Sequence, residues 1–118
     1  YRRGVETDLA RALVAEVQSR TRMRILEAGA DLVLEGTITN IEEILLSEGE
    51  DQAIRESTLL VTVEVLLRDG RTGEPIRPRE RYSERESFVP GIGEGVRSAR
   101  TEALRRLAAD IVDGLGGG

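Results

Sequence analysis

The segment 58–68 constrains the fold more than any other, because apolar residues occupy every second position along it. A period of two, carried largely by β-branched residues, is typical of a strand with one buried face. The buried face is expected to carry Leu59, Val61, Val63, Val65 and Leu67. The opposite face carries Thr58, Leu60, Thr62, Glu64, Leu66 and Arg68. One strand cannot bury such a row alone, so other elements must pack against it.

Two segments have the helical spacing needed to cover that row. In residues 5–20, Leu9, Leu13 and Val17 recur every four positions, and Thr7 is expected to cap the helix. In residues 94–115 the apolar row is longer, and glycines end it. That row consists of Ala99, Ala103, Leu107, Ile111 and Leu115. Residues 116–118 are expected to form a flexible glycine tail.

Three further strands are predicted around the central one. Residues 22–27 are expected to form a short strand, and residues 31–45 a long one. After a turn at 69–73, whose two glycines suit positive φ, a strand is expected to return over 74–88. Because Pro78 lacks an N–H donor, that strand should lie at a sheet edge or carry a bulge.

The predicted order is one helix, four strands and one helix. Clustered strands with flanking helices favour the α+β class. We therefore expect residues 1–118 to form a single domain with a mostly antiparallel four-stranded sheet. Both apolar helix stripes should pack on one face of that sheet, over the row in 58–68.

The composition excludes several classes of function. The chain has no Cys and no His, so it cannot assemble a thiolate, Ser-His-Asp or Cys-His site by itself. We expect no catalysis and no cofactor. The formal net charge of −5 and the 3% aromatic content argue against nucleic-acid binding, which favours basic surfaces and stacking platforms.

Two ligand motifs are incomplete. Residues 91–97 contain three glycines before a helix, but their spacing is not that of a dinucleotide-binding loop. The acidic segment 47–54 and the adjoining Glu42 and Glu43 lack the spacing of a calcium loop. A helix entry and a solvated loop are the interpretations favoured, and no metal site is predicted.

Four arginines form the main candidate site. At a period of two, these arginines would share one face of the returning strand. Each guanidinium group could bind an anionic group through two hydrogen bonds. The four arginines are Arg77, Arg79, Arg81 and Arg85. The alternative is a solvated edge strand, charged against aggregation and balanced by Glu80, Glu84 and Glu86.

A second candidate is the sheet face turned away from the helices. Apolar side chains there would form a patch of the kind that often marks a partner surface. The predicted members are Val33, Ile41, Leu60 and Leu66. The alternative is a set of scattered surface apolar residues.

Five features together indicate a family resemblance: the start of the chain at 1–13, Ala-Asp-x-x-Leu-x-Gly at 30–36, the strand 58–68, Asp-x-Arg-Thr-Gly at 69–73 and the Ala-rich last helix. In these features the sequence resembles the LptE-like family of lipopolysaccharide-assembly lipoproteins. The resemblance implies a non-catalytic lipoprotein on the periplasmic face of the outer membrane. The implied partners are an LptD-like β-barrel that the lipoprotein plugs, and lipopolysaccharide. The expectation that the four arginines meet lipid A phosphates rests on their charge and spacing and not on the resemblance.

The resemblance also implies features upstream of this chain. These are a strand before the first helix and a lipidated Cys that anchors the protein, both expected before Tyr1. Two alternatives remain: a subunit of another envelope secretion complex of the curli-export type, and a periplasmic binding module.

Overall fold

The computed structural model describes residues 4–26, 28–48, 55–89 and 95–117. In chain order the elements are α1 (Val5–Arg20), β1 (Leu32–Glu48), β2 (Arg55–Asp69), β3 (Glu80–Phe88) and α2 (Gly95–Val112). A π-helical turn, Asp113–Gly117, follows α2. The first two residues of the predicted acidic loop 47–54 belong to β1, and the rest lie outside the described residues. Most of the predicted linker 89–93 also lies outside them.

The sheet is antiparallel throughout, with strand order β1-β2-β3. The class is α+β as predicted, but within the described residues the sheet has three strands rather than four. The prediction of a strand over 22–27 is wrong for residues 22–26, which pair with no strand in the described chain. An extended preference in a short run does not make a strand, because a strand needs a hydrogen-bonded neighbour.

A β-bulge in β1 changes which side chains face the core. Ile38 lies opposite Val63 and Asn40 lies opposite Thr62, which leaves Thr39 as an extra residue between two successive pairs. Alternation therefore shifts by one position, and Ile41 lies opposite Val61 and packs against the core. The prediction that Ile41 shares a face with Val33 is wrong for this reason.

The core lies on the face of β2 that the alternation predicted. Leu59, Val61 and Val63 are almost completely buried there, together with Leu107 and Ile111 of α2. Val5 and Leu9 of α1 belong to the same core cluster. We call the face of the sheet that carries these β2 side chains the core face. The opposite face, which carries Thr58, Leu60, Thr62, Glu64 and Leu66 of β2, is the outer face.

The turn between β2 and β3 is held by its own first residue. The Asp69 carboxylate accepts hydrogen bonds from the backbone N–H groups of Arg71 (2.7 Å) and Thr72 (3.3 Å). Of the two glycines expected to need positive φ, only Gly73 has it, at 79°. Gly70 is needed for another reason, because a methyl group there would overlap the Ala30 carbonyl oxygen.

Both helix ends differ in detail from the predictions. Gly4 is the N-cap of α1, with no side-chain capping bond, so Thr7 lies inside the first turn and does not cap the helix as predicted. α2 ends at Val112, and the π-helical turn continues the chain through Gly114 and Leu115. A side chain at Gly114 would overlap the Tyr82 hydroxyl group, which explains a glycine where α2 meets β3.

Candidate functional site

The four candidate arginines do not form one row. β3 begins at Glu80, so Arg77 and Arg79 precede it, and the only β-pairing in the segment before them is an isolated bridge between Arg68 and Pro75. The prediction of a strand over all of 74–88 is therefore wrong for its first six residues. Two prolines in that segment, Pro75 and Pro78, each lack the N–H group that a ladder needs.

Arg77 is directed toward α2. Its Nη2 atom donates a hydrogen bond of 2.6 Å to the Gly114 carbonyl oxygen, and the side chain is half-buried. A cation is favourable near the C-terminal end of a helix, where carbonyl groups lack helical partners. Arg77 thus has a structural role, while Arg79 two residues later is exposed.

Arg81 and Arg85 do share the outer face, as a period of two requires. Arg81 lies opposite Glu64 and forms an ion pair with it, with 3.2 Å between Nη2 and Oε2. Arg85 lies opposite Leu60. Arg85 lies four positions after Arg81 along the strand, which places their Cα atoms about 13 Å apart.

Hydroxyl groups line the outer face between and beyond these arginines. The Thr62 and Ser83 hydroxyl oxygens lie 3.0 Å apart, and those of Thr58 and Ser87 lie 3.4 Å apart. Such cross-strand hydroxyl pairs stabilise the β2–β3 ladder. They also give this face hydrogen-bonding groups beside two guanidinium groups.

Of the four candidate apolar residues, three lie on the outer face. Val33 is exposed, Leu60 is half-buried, and Leu66 is only 5% exposed. Ile41 lies on the core face because of the bulge at Thr39. The remaining three residues do not share a cross-strand partner. Val33, for example, lies opposite Arg68, whereas Leu60 lies opposite Arg85.

A shallow groove lies next to Arg85 at the end of the sheet away from the β2–β3 turn. Its volume is about 430 Å³. Its lining residues are Ile44, Thr58, Arg85, Glu86, Ser87 and Arg106. Sequence reasoning did not identify this groove, because Ile44 reaches the outer face only through the shift in alternation at Thr39.

Arg106 of α2 connects the helix to β3 and was also missed. Its guanidinium group lies 3.1 Å from Glu86 Oε1, 3.5 Å from Glu102 Oε2 and 3.9 Å from Glu84 Oε1. Its Nη1 atom also donates a hydrogen bond of 3.4 Å to the Arg85 carbonyl oxygen. The spacing of Glu84 and Glu86 on one strand face was visible in the sequence, but their partner on a distant helix was not.

The Glu84 carboxyl group has the most perturbed acidity in the described chain. A hydrogen bond shared with the Asp110 carboxyl group, and then partial burial, raise the pKa of Glu84 to about 7, while Arg106 opposes the rise. Two carboxyl groups in contact favour holding one proton between them. This pair lies between β3 and α2, on the core side of the edge strand.

Neither a metal site nor a membrane span emerges from these residues. In the described ranges, no three Asp or Glu side chains come together in a way that would hold a metal ion. No described helix combines the length and the apolar character needed to cross a bilayer. The calcium alternative for the acidic segment falls mainly on 49–54, outside the described residues.

Comparison with known families decides the assignment. The family model described as LptE, lipopolysaccharide-assembly, matches residues 1–115. The chain belongs to the LptE family. The predicted resemblance to this family is thereby confirmed.

Solved structures share the fold of this LptE family member. A minor lipoprotein from Acinetobacter baumannii superposes with a TM-score of 0.67 at 19% identity, covering 92% of this chain and 83% of that one. A protein described as a lipoprotein from Caulobacter crescentus CB15 gives a TM-score of 0.60 at 14% identity, covering 94% and 92%. The sequence has no significant match among curated proteins.

Membership of this family indicates the cellular location and the general role of its proteins. The LptE family comprises non-enzymatic lipoproteins of the outer membrane that act in lipopolysaccharide assembly and envelope biogenesis. The family is associated with the lipopolysaccharide transport machinery, including an outer-membrane protein.

Proposed function

We propose that this chain is a non-catalytic lipoprotein of the outer membrane, facing the periplasm, that assists lipopolysaccharide transport as the partner of an LptD-like β-barrel. The observation that carries the proposal is the family match over residues 1–115. A lipid anchor upstream of Tyr1 is part of the same proposal. The lack of His and Cys agrees with a role in binding rather than in catalysis.

In this proposal both helices cover the core face, which leaves the outer face for contacts. α2 supports this placement through Leu107 and Ile111 in the core. α1 supports it through Leu9, whose Cδ2 atom lies 3.8 Å from the position that a Cβ atom on Gly36 would take. Because Gly36 lies opposite Val65, that contact is on the core side of β1.

The outer face is the proposed contact surface for the barrel and for lipopolysaccharide. Arg81 and Arg85, with Arg79 before the strand, are the proposed contacts for lipid A phosphates, since guanidinium groups bind phosphate bidentately. Arg77 remains a weaker member of the set, because it already donates to the Gly114 carbonyl oxygen. Val33 and Leu60 are the proposed apolar contacts with the barrel, and Leu66 is the weakest member of this set because it is only 5% exposed.

The barrel partnership is tested by co-purification in detergent. The full-length lipoprotein and the LptD-like barrel of the same cell are co-expressed, and the tagged lipoprotein is purified. We expect the barrel to co-purify at a ratio near one to one. A lipoprotein that purifies without the barrel, and instead as a ring-sized oligomer by size-exclusion chromatography, would favour the curli-export alternative.

The arginine contacts are tested separately with purified protein and lipopolysaccharide. The double variant Arg79→Glu/Arg81→Glu should bind lipopolysaccharide at least about tenfold more weakly, because two attractive charges become repulsive. Arg11→Glu/Arg97→Glu is the matched control, since it changes the net charge equally at exposed helix positions. Equal affinity in both double variants would remove Arg79 and Arg81 from the site.

A further inference from the structure

The exposed large apolar side chains of the described chain are concentrated in three short segments. Seven such residues are between 40% and 48% exposed, and only one of them, Val96, lies on a helix. The other six are Met23, Ile25, Leu26, Leu32, Val33 and Ile76. Scattered apolar residues are normal on a protein surface, but a concentration of this kind marks a contact site.

Contacts place two of the three segments at one end of the sheet, and the third follows a helix that ends there. Leu32 lies opposite Asp69 at the first rung of the β1–β2 ladder, and the Gly70 N–H group donates a 2.7 Å hydrogen bond to the Asp31 carbonyl oxygen. The Ile76 N–H group donates a 2.8 Å hydrogen bond to the Leu67 carbonyl oxygen. The last residue of α1, Arg20, pairs with Asp113, which precedes the Gly114 carbonyl group that Arg77 contacts. We call residues 21–33 and 70–79 the apolar tip, of which all but residue 27 are described.

Within its defined bounds the apolar tip has more arginines than carboxylates, although the whole protein is acidic. Residues 21–33 and 70–79 contain five arginines and three carboxylates, a net charge of +2, whereas the whole chain carries −5. The five arginines are Arg22, Arg24, Arg71, Arg77 and Arg79. Arg22 and Arg24 are exposed and alternate with Met23 and Ile25. Neither arginine forms an ion pair with any residue that the structure describes.

The opposite end of the sheet carries charges of both signs. Glu42, Glu43 and Glu56 are exposed toward that end, and Arg85 and Arg106 line the groove there. The 17 residues of β1 separate the two ends, a distance of roughly 55 Å at the usual rise of a strand. What distinguishes the apolar tip is therefore the combination of exposed apolar side chains with arginines, not charge alone.

We propose that the apolar tip docks onto the surface of a bilayer that contains anionic phospholipid. Apolar side chains enter the boundary between head groups and acyl chains, while arginines beside them meet lipid phosphates. The exposed apolar side chains and the arginines beside them orient the protein with the tip toward the lipid. A symmetric dimer through the tips would instead bring the arginines of two copies together. This contact is additional to the barrel and lipopolysaccharide contacts proposed above.

Vesicle co-sedimentation tests the docking with the full chain. Vesicles of phosphatidylcholine with about 30 mol% phosphatidylglycerol should bind the protein, and pure phosphatidylcholine vesicles should bind it far more weakly. Met23→Ser/Ile25→Ser and Arg22→Ala/Arg24→Ala should each weaken binding to the anionic vesicles about tenfold. Val96→Ser, which removes an equally exposed apolar side chain from α2, should bind as the wild type does.

A site-specific label gives a second measurement. The chain contains no cysteine, so Met23→Cys and Val96→Cys each provide one attachment point for a polarity-sensitive fluorophore. Anionic vesicles should shift the emission of the label at position 23 to the blue and leave that at position 96 unchanged. No shift at position 23 overturns the proposal. It is also overturned if vesicle binding is the same in all variants, or if Met23→Ser/Ile25→Ser abolishes only self-association. Because the vesicles contain neither lipopolysaccharide nor a barrel, failure here leaves the proposed function standing.

Discussion

Arg77 holds the end of the last helix through a single hydrogen bond, 2.6 Å from its Nη2 atom to the Gly114 carbonyl oxygen. A side chain on Gly114 would overlap the Tyr82 hydroxyl group and would require Tyr82 to move. Tyr82 in turn donates a 3.0 Å hydrogen bond to Glu80. The residues around the start of β3 are therefore tied to the turn that follows α2.

The first prediction separates a structural arginine from a surface arginine. Arg77→Met keeps most of the aliphatic stem but leaves the Gly114 carbonyl without its donor, and should lower the free energy of unfolding by about 1–3 kcal/mol. Arg79→Met, two residues away and exposed, should change it by less than about 0.5 kcal/mol. Urea denaturation followed by circular dichroism measures both. Equal losses would contradict a structural role specific to Arg77.

A second prediction concerns the core contact of α2. Leu107 is completely buried in the cluster with Val61 and Val63. Leu107→Ala should therefore lower the free energy of unfolding by about 2–5 kcal/mol. Thr101→Ala, at an exposed position of the same helix, is the control for helix propensity and should be neutral or slightly stabilising, because Ala favours the helix more than Thr does. A change below about 1 kcal/mol at Leu107 would mean that the helix does not pack as described.

The bulge in β1 leads to a third prediction, in which two deletions are compared. Deleting Thr39 removes the extra residue, so Ile38 and Ile41 keep their faces and the protein should remain folded. Deleting Thr37 instead turns Ile38 to the outer face and Thr39 to the core face, at a cost of roughly 2 kcal/mol or more. Thermal unfolding measures the stability of both deletion variants, and the Thr39 deletion should have the higher melting temperature. If the Thr37 deletion were the more stable, the register at Ile38 would be wrong.

A fourth prediction follows from the raised pKa of Glu84. Its pKa is about 7 in the folded protein, against an ordinary value of 4.5, so the folded state holds a proton that the unfolded state releases. Between these values the folded state binds more protons, and the stability contributed by this group falls as the pH rises from about 4.5 to 7. Glu84→Gln keeps a hydrogen-bond donor toward Asp110 at every pH.

The measurement is the free energy of unfolding from pH 4 to pH 8. The free energy of unfolding of Glu84→Gln should increase relative to that of the wild type as the pH rises. Most of this difference should develop below about pH 7. Glu74→Gln removes a carboxylate from an exposed turn and controls for net charge. Parallel pH profiles for the wild type and Glu84→Gln would show that Glu84 and Asp110 do not share a proton.

The sequence predicted those elements that a regular pattern defines over many residues. The alternation in 58–68 located the buried face of β2, and the four-residue spacing of Ala99, Ala103, Leu107 and Ile111 located the buried face of α2. Such patterns identify the buried face reliably because many successive residues indicate the same division between core and solvent. In 22–26 the pattern covered few residues, and no partner for pairing could be read from it.

The errors at the candidate site have a common physical cause. A period of two assigns faces correctly only while a strand is continuous, and one extra residue reverses every assignment beyond it. Thr39 moved Ile41 to the core face in this way. Pro75 and Pro78 likewise removed Arg77 and Arg79 from the strand that carries Arg81 and Arg85. Long-range partners such as Arg106 and Glu86 leave no local signal at all.

The bond from Arg106 to the Arg85 carbonyl oxygen has a consequence for how the sheet meets other chains. β3 lies at one edge of the described sheet, and exposed edges invite unwanted pairing with strands of other molecules. A guanidinium group from α2 donates to a backbone oxygen of this edge strand, and two glutamates of β3 hold it there. A cation fixed along an edge strand discourages pairing with other chains, so we expect neutralising Arg106 to make this border of the sheet more prone to self-association.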